Sequence, residues 1–505
     1  MSEEKSKFDY PKSKIAIVGS GFLGLTLALR LAETGAKVTV YESAPEIGGL
    51  AGAWQIGDVV WDKHYHVTLL SDSFTRKIVG ELGLENEFEW VETKTGFYTD
   101  GKLVSMSNSL EFLKFPPLDL MSKFRLGATI FYASRVKDWK ALEKISVEDW
   151  LVKLSGRRTF EKMWKPLLKA KLGEAYRETS AAFIWATIQR MYAARNSGLK
   201  KEMFGYVRGG YARVLKRFGE VLREKGVEIR LNSKIEKIEK LDSGKLEIFN
   251  AAARRRGDLK AEIYPQINTD GHRFEYRGET TTISEPTAAA SAFSRDRRPK
   301  TEDHFDEVIL TCPSSVAAKI VPQLTGAERA KLENIKYQGI VCASVLMKNS
   351  LSRFYVTNIT DETPFTGIIE MSALVDKSEF GANALVYLPK YAAPDDELFD
   401  KSDAEIEETF LSELERMYSH FRREDVLAFK VSRVRQVFPI PTVSYSENLP
   451  GVKTSLENVF IVNSAQITNG TLNVNETVQL AEKFFATEFA ENTEERKFEI
   501  TDKHR

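Results

Sequence analysis

Three glycines with the spacing of a phosphate-binding turn follow the apolar run at 15–18: Gly19, Gly21 and Gly24. Glycine at these positions permits a tight turn, close approach of the backbone to a diphosphate, and close packing of the next helix on the strand. A second apolar run at 38–40 ends at Glu42, whose carboxylate can accept hydrogen bonds from an adenosine ribose. The pattern predicts a βαβ unit that binds a dinucleotide at a helix N-terminus.

The glycine pattern continues beyond the second strand to Gly48 and Gly49. Two adjacent glycines let another backbone segment pass close to a diphosphate, and their N–H groups can form an anion-binding concavity. Glu42 would repel a 2′-phosphate, which disfavours NADP as the ligand. Four neighbouring residues are expected to complete the binding site: Phe22, Leu23, Ser43 and Leu50.

Two histidines close to this pattern, His64 and His66, are the best candidates for proton transfer, since histidine titrates near neutral pH. Spaced two apart, they would point to opposite faces of an extended chain. One interpretation is that one of them carries a proton during the reaction. The other is that both are hydrogen-bonded structural residues beside the bound nucleotide.

Composition restricts the class of protein. The chain has 505 residues, which favours two domains, and its 72 basic and 72 acidic residues give zero net charge, which argues against nucleic acid as a partner. The two cysteines lie in apolar runs without a cysteine–histidine cluster, so we expect free thiols, no metal site and a cytoplasmic protein. The N-terminal stretch is polar and does not resemble a signal peptide.

Several other segments are open to more than one interpretation. The apolar and basic stretch at 112–133 fits either contact with a membrane surface, giving a membrane-associated protein, or a buried pair of helices. Arg433 and Arg435 alternate along a strand and could clamp a carboxylate or phosphate of a substrate. Lys165, Lys169 and Lys171 fit a solvated helix face or, alternatively, a receptor for an anionic substrate.

The order of the motifs along this chain resembles that in the amine-oxidase-type flavoproteins, such as protoporphyrinogen oxidase, phytoene desaturase and hydroxysqualene dehydroxylase. The resemblance rests on the N-terminal glycine pattern with Gly48 and Gly49, the glycine turn at 208–211, the strand at 308–313, and a C-terminal strand followed by a helix. It implies an α/β fold: a Rossmann-like FAD-binding domain of the two-dinucleotide-binding-domain type, with a discontinuous α+β substrate domain. The implied division gives 12–70, 205–315 and 455–490 to the FAD-binding domain, 71–204 and 316–454 to the substrate domain, 251–305 to an insertion, and 1–11 and 491–505 to tails.

The resemblance also implies roles for particular residues. Ile235 would meet the adenine through its backbone, and the N-terminus of a helix near Asn473 and Val474 would point at the flavin. Asn463 and Ser464 stand where the family usually carries an acid that binds the ribityl chain, a departure from the pattern. Three further residues are implied near the substrate: Lys63 and Tyr65, in a K-x-Y-H pattern found in bacterial relatives, and Tyr211.

The function implied by the resemblance is that of an FAD-dependent oxidoreductase. It would transfer hydride from an apolar, isoprenoid- or porphyrinogen-like substrate to flavin N5, and an electron acceptor would reoxidise the flavin. A non-redox flavoenzyme of the UDP-sugar mutase type, with Arg433 and Arg435 holding a diphosphate, is one alternative. A binding protein on the same fold and an NAD dehydrogenase are two others.

Overall fold

The computed structural model describes residues 13–107, 109–195, 203–250, 303–468 and 470–489. Both predicted tails lie outside these ranges, as does the predicted insertion except for its last three residues. His304 and Phe305 form a strand, so the insertion ends before the predicted boundary at 305.

The strands of the described chain are β1 (Lys14–Val18), β2 (Lys37–Tyr41), β3 (Ala53–Ile56), β4 (Val59–Asp62), β5 (Thr68–Leu69), β6 (Phe88–Glu92), β7 (Thr95–Thr99), β8 (Lys102–Ser105), β9 (Met203–Val207), β10 (Glu228–Arg230), β11 (Ile235–Lys240), β12 (Leu246–Asn250), β13 (His304–Phe305), β14 (Glu307–Leu310), β15 (Tyr337–Met347), β16 (Val356–Ile359), β17 (Gly367–Glu370), β18 (Ala384–Ala392), β19 (Val426–Pro439) and β20 (Val459–Ile461).

The α-helices are α1 (Phe22–Glu33), α2 (Ser73–Glu81), α3 (Ser109–Lys114), α4 (Leu120–Ala133), α5 (Trp139–Glu143), α6 (Val147–Ser155), α7 (Arg157–Thr159), α8 (Lys165–Leu172), α9 (Ala181–Arg195), α10 (Gly210–Glu224), α11 (Ser314–Ile320), α12 (Gly326–Glu333), α13 (Asp403–Met417), α14 (Tyr445–Asn448) and α15 (Val474–Glu488).

A parallel sheet with the strand order β10-β2-β1-β14-β20 forms the first layer of the fold. Its strands come from parts of the chain that are far apart in sequence, because the apolar runs in each are too short to be buried alone. Helix α1, which is buried over most of its length, packs between this sheet and the helices α10 and α15. From β1 the strand order runs to β2 and β10 on one side of the sheet and to β14 and β20 on the other. Open α/β sheets bind ligands at such a switch point.

A second sheet, with the order β19-β15-β18-β17-β16-β7-β8, forms the wall of the other half of the molecule. Its central strand β15 is buried throughout and pairs with β18 on one side and β19 on the other. One face of the sheet packs against the apolar stripe of α13, which includes Ile406, Phe410 and Leu414. The face of a sheet opposite a covering helix must find another partner, and here part of that face borders the cavity described below.

A helical layer built from α4, α6, α8 and α9 closes the cavity from the other side, with its own core around Trp150, Phe160 and Trp164. The side chains of Asp119 and Ser146 cap the N-termini of α4 and α6, which explains where these two helices begin. Among the described helices, none is long and apolar enough to cross a membrane.

Candidate functional site

Two glycine-bearing loops meet at the C-terminal edge of the parallel sheet. Gly21, just after β1, forms an isolated β-bridge with Gly48, and the Gly48 N–H donates to the Ser20 carbonyl oxygen at 2.8 Å. A Cβ on Gly24 would lie 2.0 Å from the Gly19 carbonyl oxygen, so α1 packs against the turn only because residue 24 is glycine. Gly19 and Gly48 have φ values of +112° and +116°, a region that L-residues rarely adopt.

Gly21 differs from the other glycines of the turn because no heavy atom lies within 4 Å of the position that its Cβ would take. That open side faces a cavity of about 1850 Å³. The predicted cofactor-binding residues other than Gly24 line this cavity: Gly19, Gly21, Phe22, Leu23, Glu42, Ser43, Gly48, Gly49, Leu50, Ile235, Asn463, Ser464, Asn473 and Val474. Residues from four separate stretches of the chain therefore border one space large enough for a dinucleotide and a second ligand.

Glu42 stands at one end of the cavity and is held by its own turn. Its carboxylate accepts hydrogen bonds from the Ser20 N–H at 2.9 Å, the Ser20 hydroxyl at 2.7 Å and the Ala44 N–H at 2.8 Å. These bonds fix the carboxylate where β2 ends, and an oxygen can accept more than one hydrogen bond. Glu42 is thus oriented to receive a ribose hydroxyl, as predicted for this position.

Asn463, which stands where the resembling family usually carries an acid, has a structural role. The Asn463 amide donates to the Cys312 carbonyl oxygen at 2.9 Å and accepts from the Ala465 N–H at 2.9 Å, so the buried side chain ties β20 to the end of β14. Because these partners use the amide, Ser464, which also lines the cavity, is the better placed of the two to meet a ligand. Beyond it, Asn473 caps α15 by accepting from the Glu476 N–H at 3.0 Å, and the free N–H groups of that helix begin at Val474.

The remainder of the cavity is a largely apolar chamber between the second sheet and the helical layer. Representative lining residues are Phe97, Ile130, Trp164, Leu167, Ile188 and Phe438. They come from β7, α4, α8, α9, β19 and the turn before α8. This chamber is continuous with the glycine cradle, so a ligand in each part would share one space.

The two candidate histidines both line this cavity, because the chain bends at Lys63 and His64 instead of running extended. His64 is buried, with Nδ1 3.2 Å from the Leu50 carbonyl oxygen and Nε2 3.1 Å from the Ser432 hydroxyl. A carbonyl oxygen only accepts, so Nδ1 carries the proton and Nε2 accepts from Ser432. Burial, with the nearby His66, lowers the pKa of His64 to about 4, which favours its neutral form.

His66 has a different environment. Its Nδ1 lies 3.8 Å from Oδ2 of Asp62, a buried carboxylate that accepts the Tyr211 N–H at 2.8 Å through its other oxygen. Burial raises the pKa of Asp62 above its ordinary value, and the His66 ring opposes that rise. A histidine beside a buried carboxylate, on the wall of a cavity, is an arrangement that can hold and release a proton.

Two of the residues predicted to bind the substrate lie elsewhere. Arg433 donates to Asp403 at 2.5 Å and Arg435 donates to Asp400 at 2.5 Å, so both arginines face α13 and its preceding loop, and neither lines the cavity. Side chains alternate along a strand, and Gln436 and Phe438 of β19 are among those that face the cavity instead. The prediction that the two arginines clamp the substrate is therefore wrong.

Tyr211 and Lys63 are also absent from the wall of the large cavity. Tyr211 is buried behind it, where its ring packs against Phe22 and His66 with centroids 5.3 Å and 5.1 Å away. The prediction that Tyr211 touches substrate is wrong, and a supporting contact with His66 takes its place. Lys63 lies beside Gly52, near the bend that turns both histidines toward the cavity.

Sequence reasoning gave no role to three residues that the structure brings to the site: Asp62, Tyr387 and Tyr391. Lys171, which was considered as a receptor for an anionic substrate, lines the cavity as well. Tyr391 shares a hydrogen bond of 2.9 Å with the hydroxyl of Tyr65, which was predicted to be at the site, and the Tyr387 hydroxyl donates to the Asp62 carbonyl oxygen at 2.5 Å. The aspartate could have been found from its place at the end of a short strand beside the histidines. The tyrosines could not, because they lie more than 300 positions further along the chain.

The residues at the cradle fit an adenine dinucleotide. The open side of Gly21, the oriented carboxylate of Glu42 and the N-terminus of α15 provide a diphosphate approach, a ribose acceptor and a partial positive charge at separate points of one cavity. The family comparison agrees with that fit. The family described as flavin containing amine oxidoreductase matches the chain over residues 24–261 and 263–475. The chain belongs to this family, and the predicted fold class and FAD cofactor are confirmed.

Individual relatives are distant. The chain is 25% identical over 258 residues to the 15-cis-phytoene desaturase of Capsicum annuum, covering 47% of this chain and 43% of the relative. It is 24% identical over 251 residues to a zeta-carotene desaturase of Synechocystis sp., covering 45% and 50%. The matches thus span about half the length of these curated relatives.

Solved structures share the fold over a longer range. An oxidoreductase from Methanosarcina mazei superposes with a TM-score of 0.66 at 15% identity, covering 94% of this chain and 99% of that one. Wild-type putrescine oxidase bound to putrescine superposes with a TM-score of 0.64 at 15% identity, covering 94% and 98%. At this identity the likeness establishes the fold only.

Alanine substitutions at Gly21 and Gly24 should affect different properties, FAD affinity at the first and stability at the second. We expect Gly21→Ala to leave the melting temperature of the flavin-free protein unchanged and to weaken FAD binding at least about tenfold, because its methyl group would enter space that only the ligand uses. Gly24→Ala should lower the melting temperature of the same flavin-free protein, because its methyl group would overlap the Gly19 carbonyl. Fluorescence titration with FAD and thermal unfolding separate the two effects, and undiminished FAD affinity in Gly21→Ala would contradict this placement of the diphosphate.

Proposed function

We propose that this protein is an FAD-dependent oxidoreductase acting on a predominantly apolar organic substrate. The observation that carries the proposal is the continuity of the glycine cradle with the apolar chamber, since it allows a bound flavin and a substrate to occupy one cavity. When bound, FAD accepts hydride from the substrate. The names of the phytoene and zeta-carotene desaturase relatives agree with an apolar substrate, and the largely apolar lining of the chamber supports it.

The proposal includes the domain division expected from the sequence. We assign 12–70, 205–315 and 455–490 to the FAD-binding domain and 71–204 and 316–454 to the substrate domain. The parallel sheet supports this division, because β1, β2, β10, β14 and β20 all fall in the first set of segments. The seven-stranded sheet supports it equally, because its strands all come from the second set.

The proposal gives different roles to the residues near the cavity. His66 exchanges the proton that accompanies oxidation, and the carboxylate of Asp62 lies 3.8 Å from its Nδ1. His64 positions the bend by joining Leu50 to Ser432. The apolar chamber keeps water from the reacting atoms and strengthens the electrostatic interaction of Asp62 with His66.

The mutase alternative loses its main support. It needs a cationic site for a diphosphate, and the two arginines considered for that role are paired with Asp403 and Asp400 outside the cavity. Arg190, which does line the cavity, is paired with Asp72 at 2.8 Å. The two arginines considered for a diphosphate site are therefore not available for it, and we propose net electron transfer from the substrate instead.

The proposed partners are the substrate and an electron acceptor. We also propose that the protein contacts a membrane surface. Helix α4 exposes several large apolar side chains on the outside of the protein, with exposed fractions of 75% at Leu120, 67% at Met121, 73% at Phe124 and 53% at Phe131. Ile130 on the same helix lines the chamber. An exposed apolar face beside an apolar cavity would let a poorly soluble substrate pass from a bilayer into the chamber.

The activity is tested by anaerobic flavin reduction. We expect the visible absorption of the bound flavin to bleach on mixing with at least one member of a panel comprising a carotenoid precursor, a porphyrinogen and an unsaturated fatty acid, and to stay constant with putrescine. Stopped-flow absorbance measures the rate, and admission of an electron acceptor should restore the oxidised spectrum. Retention of the oxidised spectrum with every apolar compound would argue against the proposal.

The role of His66 is tested by substitution. We expect His66→Gln to keep the flavin and to slow its reduction by the substrate that bleaches wild type, by about 100-fold or more, because the proton exchange is lost. His64→Gln is the comparison: it should lower the melting temperature by removing a buried hydrogen-bonded ring. Equal reduction rates in His66→Gln and wild type would remove the histidine from the mechanism.

Membrane contact is tested by flotation with vesicles of phosphatidylcholine and phosphatidylglycerol. The double variant Leu120→Ser with Phe124→Ser should bind vesicles at least about tenfold more weakly than wild type, because two exposed apolar side chains no longer enter the bilayer. Leu427→Ser, at a 46% exposed leucine on β19, is the matched control and should bind like wild type. Wild-type protein that stays with the vesicle-free fraction would refute the contact.

A further inference from the structure

One cationic side chain in the substrate chamber has not been used by the proposed function. Lys171, near the C-terminal end of α8, lines the cavity, and its Nζ donates to the Tyr391 hydroxyl at 2.6 Å. The same nitrogen lies 3.8 Å from the ring centroid of Tyr391 and 5.0 Å from that of Phe438. The ammonium is thus held against two aromatic rings and pointed into the chamber.

The other two lysines of this helix provide a contrast. Lys165 pairs with Glu161 at 2.7 Å and Lys169 pairs with Glu174 at 2.6 Å, so both have the solvated, ion-paired environment expected from the sequence. Lys171 has no carboxylate within ion-pair distance in the described part of the chain. The prediction of a solvated helix face holds for two of the three lysines and is wrong for Lys171, whose position turns it inward.

The groups around Lys171 leave its charge uncompensated. Tyr391 of β18 and, next to it, Tyr65 face the lysine, with the thiol of Cys342 of β15 close to both tyrosines. Burial raises the pKa of Tyr65 to about 12 and the pKa values of Tyr391 and Cys342 well above their ordinary ranges, so all three groups are neutral at physiological pH. Desolvation lowers the pKa of Lys171 itself to about 7. A cation that lies half-buried against aromatic rings without an anion beside it is costly, and a ligand that brings the anion would reduce that cost.

We propose that Lys171 binds the carboxylate of an amphipathic substrate, so that the chamber accepts a long apolar molecule with one anionic end in preference to a pure hydrocarbon. A carboxylate matches the single charge of one ammonium, whereas a phosphate monoester would bring close to two charges to one cation. The Tyr391 hydroxyl adds a second donor beside the ammonium, and Tyr65 can accept the proton of a hydroxyl in that chain. This inference rests on the proposed function, because it assumes that the substrate occupies the chamber.

Calorimetry with oleate and oleyl alcohol, both below their aggregation concentrations, tests the anchor on the flavin-loaded protein. Wild type should bind oleate at least tenfold more tightly than the alcohol at pH 6.5, and the preference should decline as the pH rises above about 7. At pH 8, oleate binding should take up a proton, because the arriving carboxylate favours the charged amine; comparison of two buffers with different ionisation enthalpies measures this uptake.

Three variants separate an anchor from a structural lysine. Lys171→Met should remove both the oleate preference and the proton uptake while alcohol binding persists, and Lys171→Arg should keep the preference without the uptake, since arginine stays charged. Lys169→Met, at the exposed and ion-paired neighbour, should behave like wild type. Equal binding of oleate and alcohol by wild type, or an unchanged preference in Lys171→Met, would overturn the inference.

Different results would refute the proposed oxidoreductase function and the proposed carboxylate anchor. Flavin bleaching by a neutral isoprenoid, combined with no binding of oleate, would retain the oxidoreductase and discard the carboxylate anchor. Binding of oleate that depends on Lys171, combined with no flavin reduction by any compound of the panel, would retain the anchor and discard the oxidation.

Discussion

The close approach of two backbone turns is the constraint on which the site depends. Gly21 and Gly48 bridge each other across the ends of β1 and β2, and a Cβ on Gly48 would lie 2.4 Å from Leu215 of α10. Because neither turn carries a side chain at the bridge, the helices α1 and α10 can both close on it. No heavy atom lies within 4 Å of the position that a Cβ on Gly21 would take, so the open side of this glycine is left for a ligand.

A buried aspartate, Asp62, links helix α10 to the seven-stranded sheet. Asp62 accepts the N–H of Tyr211 at the start of α10, and its backbone carbonyl accepts the hydroxyl of Tyr387 from the seven-stranded sheet. Next to it, His64 contacts Ser432 of the same sheet. The segment that carries both histidines is therefore held from both halves of the molecule, which fixes the cavity wall at the boundary where a flavin and a substrate would meet.

Several polar groups on the wall of the cavity already have partners within the protein. Asn463 is used to tie β20 to β14, Arg190 is neutralised by Asp72, and His64 is satisfied at both ring nitrogens. The ammonium of Lys171 differs from these groups, because its hydrogen bond to Tyr391 supplies no negative charge. An apolar chamber with an uncompensated ammonium on its wall differs chemically from a cavity suited to a hydrocarbon alone.

The sequence by itself determined the part of the fold around the glycine turn. The glycine spacing, the position of Glu42, the strand that precedes Asn463 and the helix that begins at Val474 could all be predicted, because they depend on backbone geometry and on residues close together in the chain. Only the tertiary structure decided which side chains face the chamber. Arg433 and Arg435 alternate correctly for a strand, yet the sequence does not state which face of that strand α13 covers. Lys171 has the same helical spacing as exposed lysines, and its burial follows from β18, more than 200 positions later, closing over it. Exposure and pairing are properties of the assembled layers, so no local pattern encodes them.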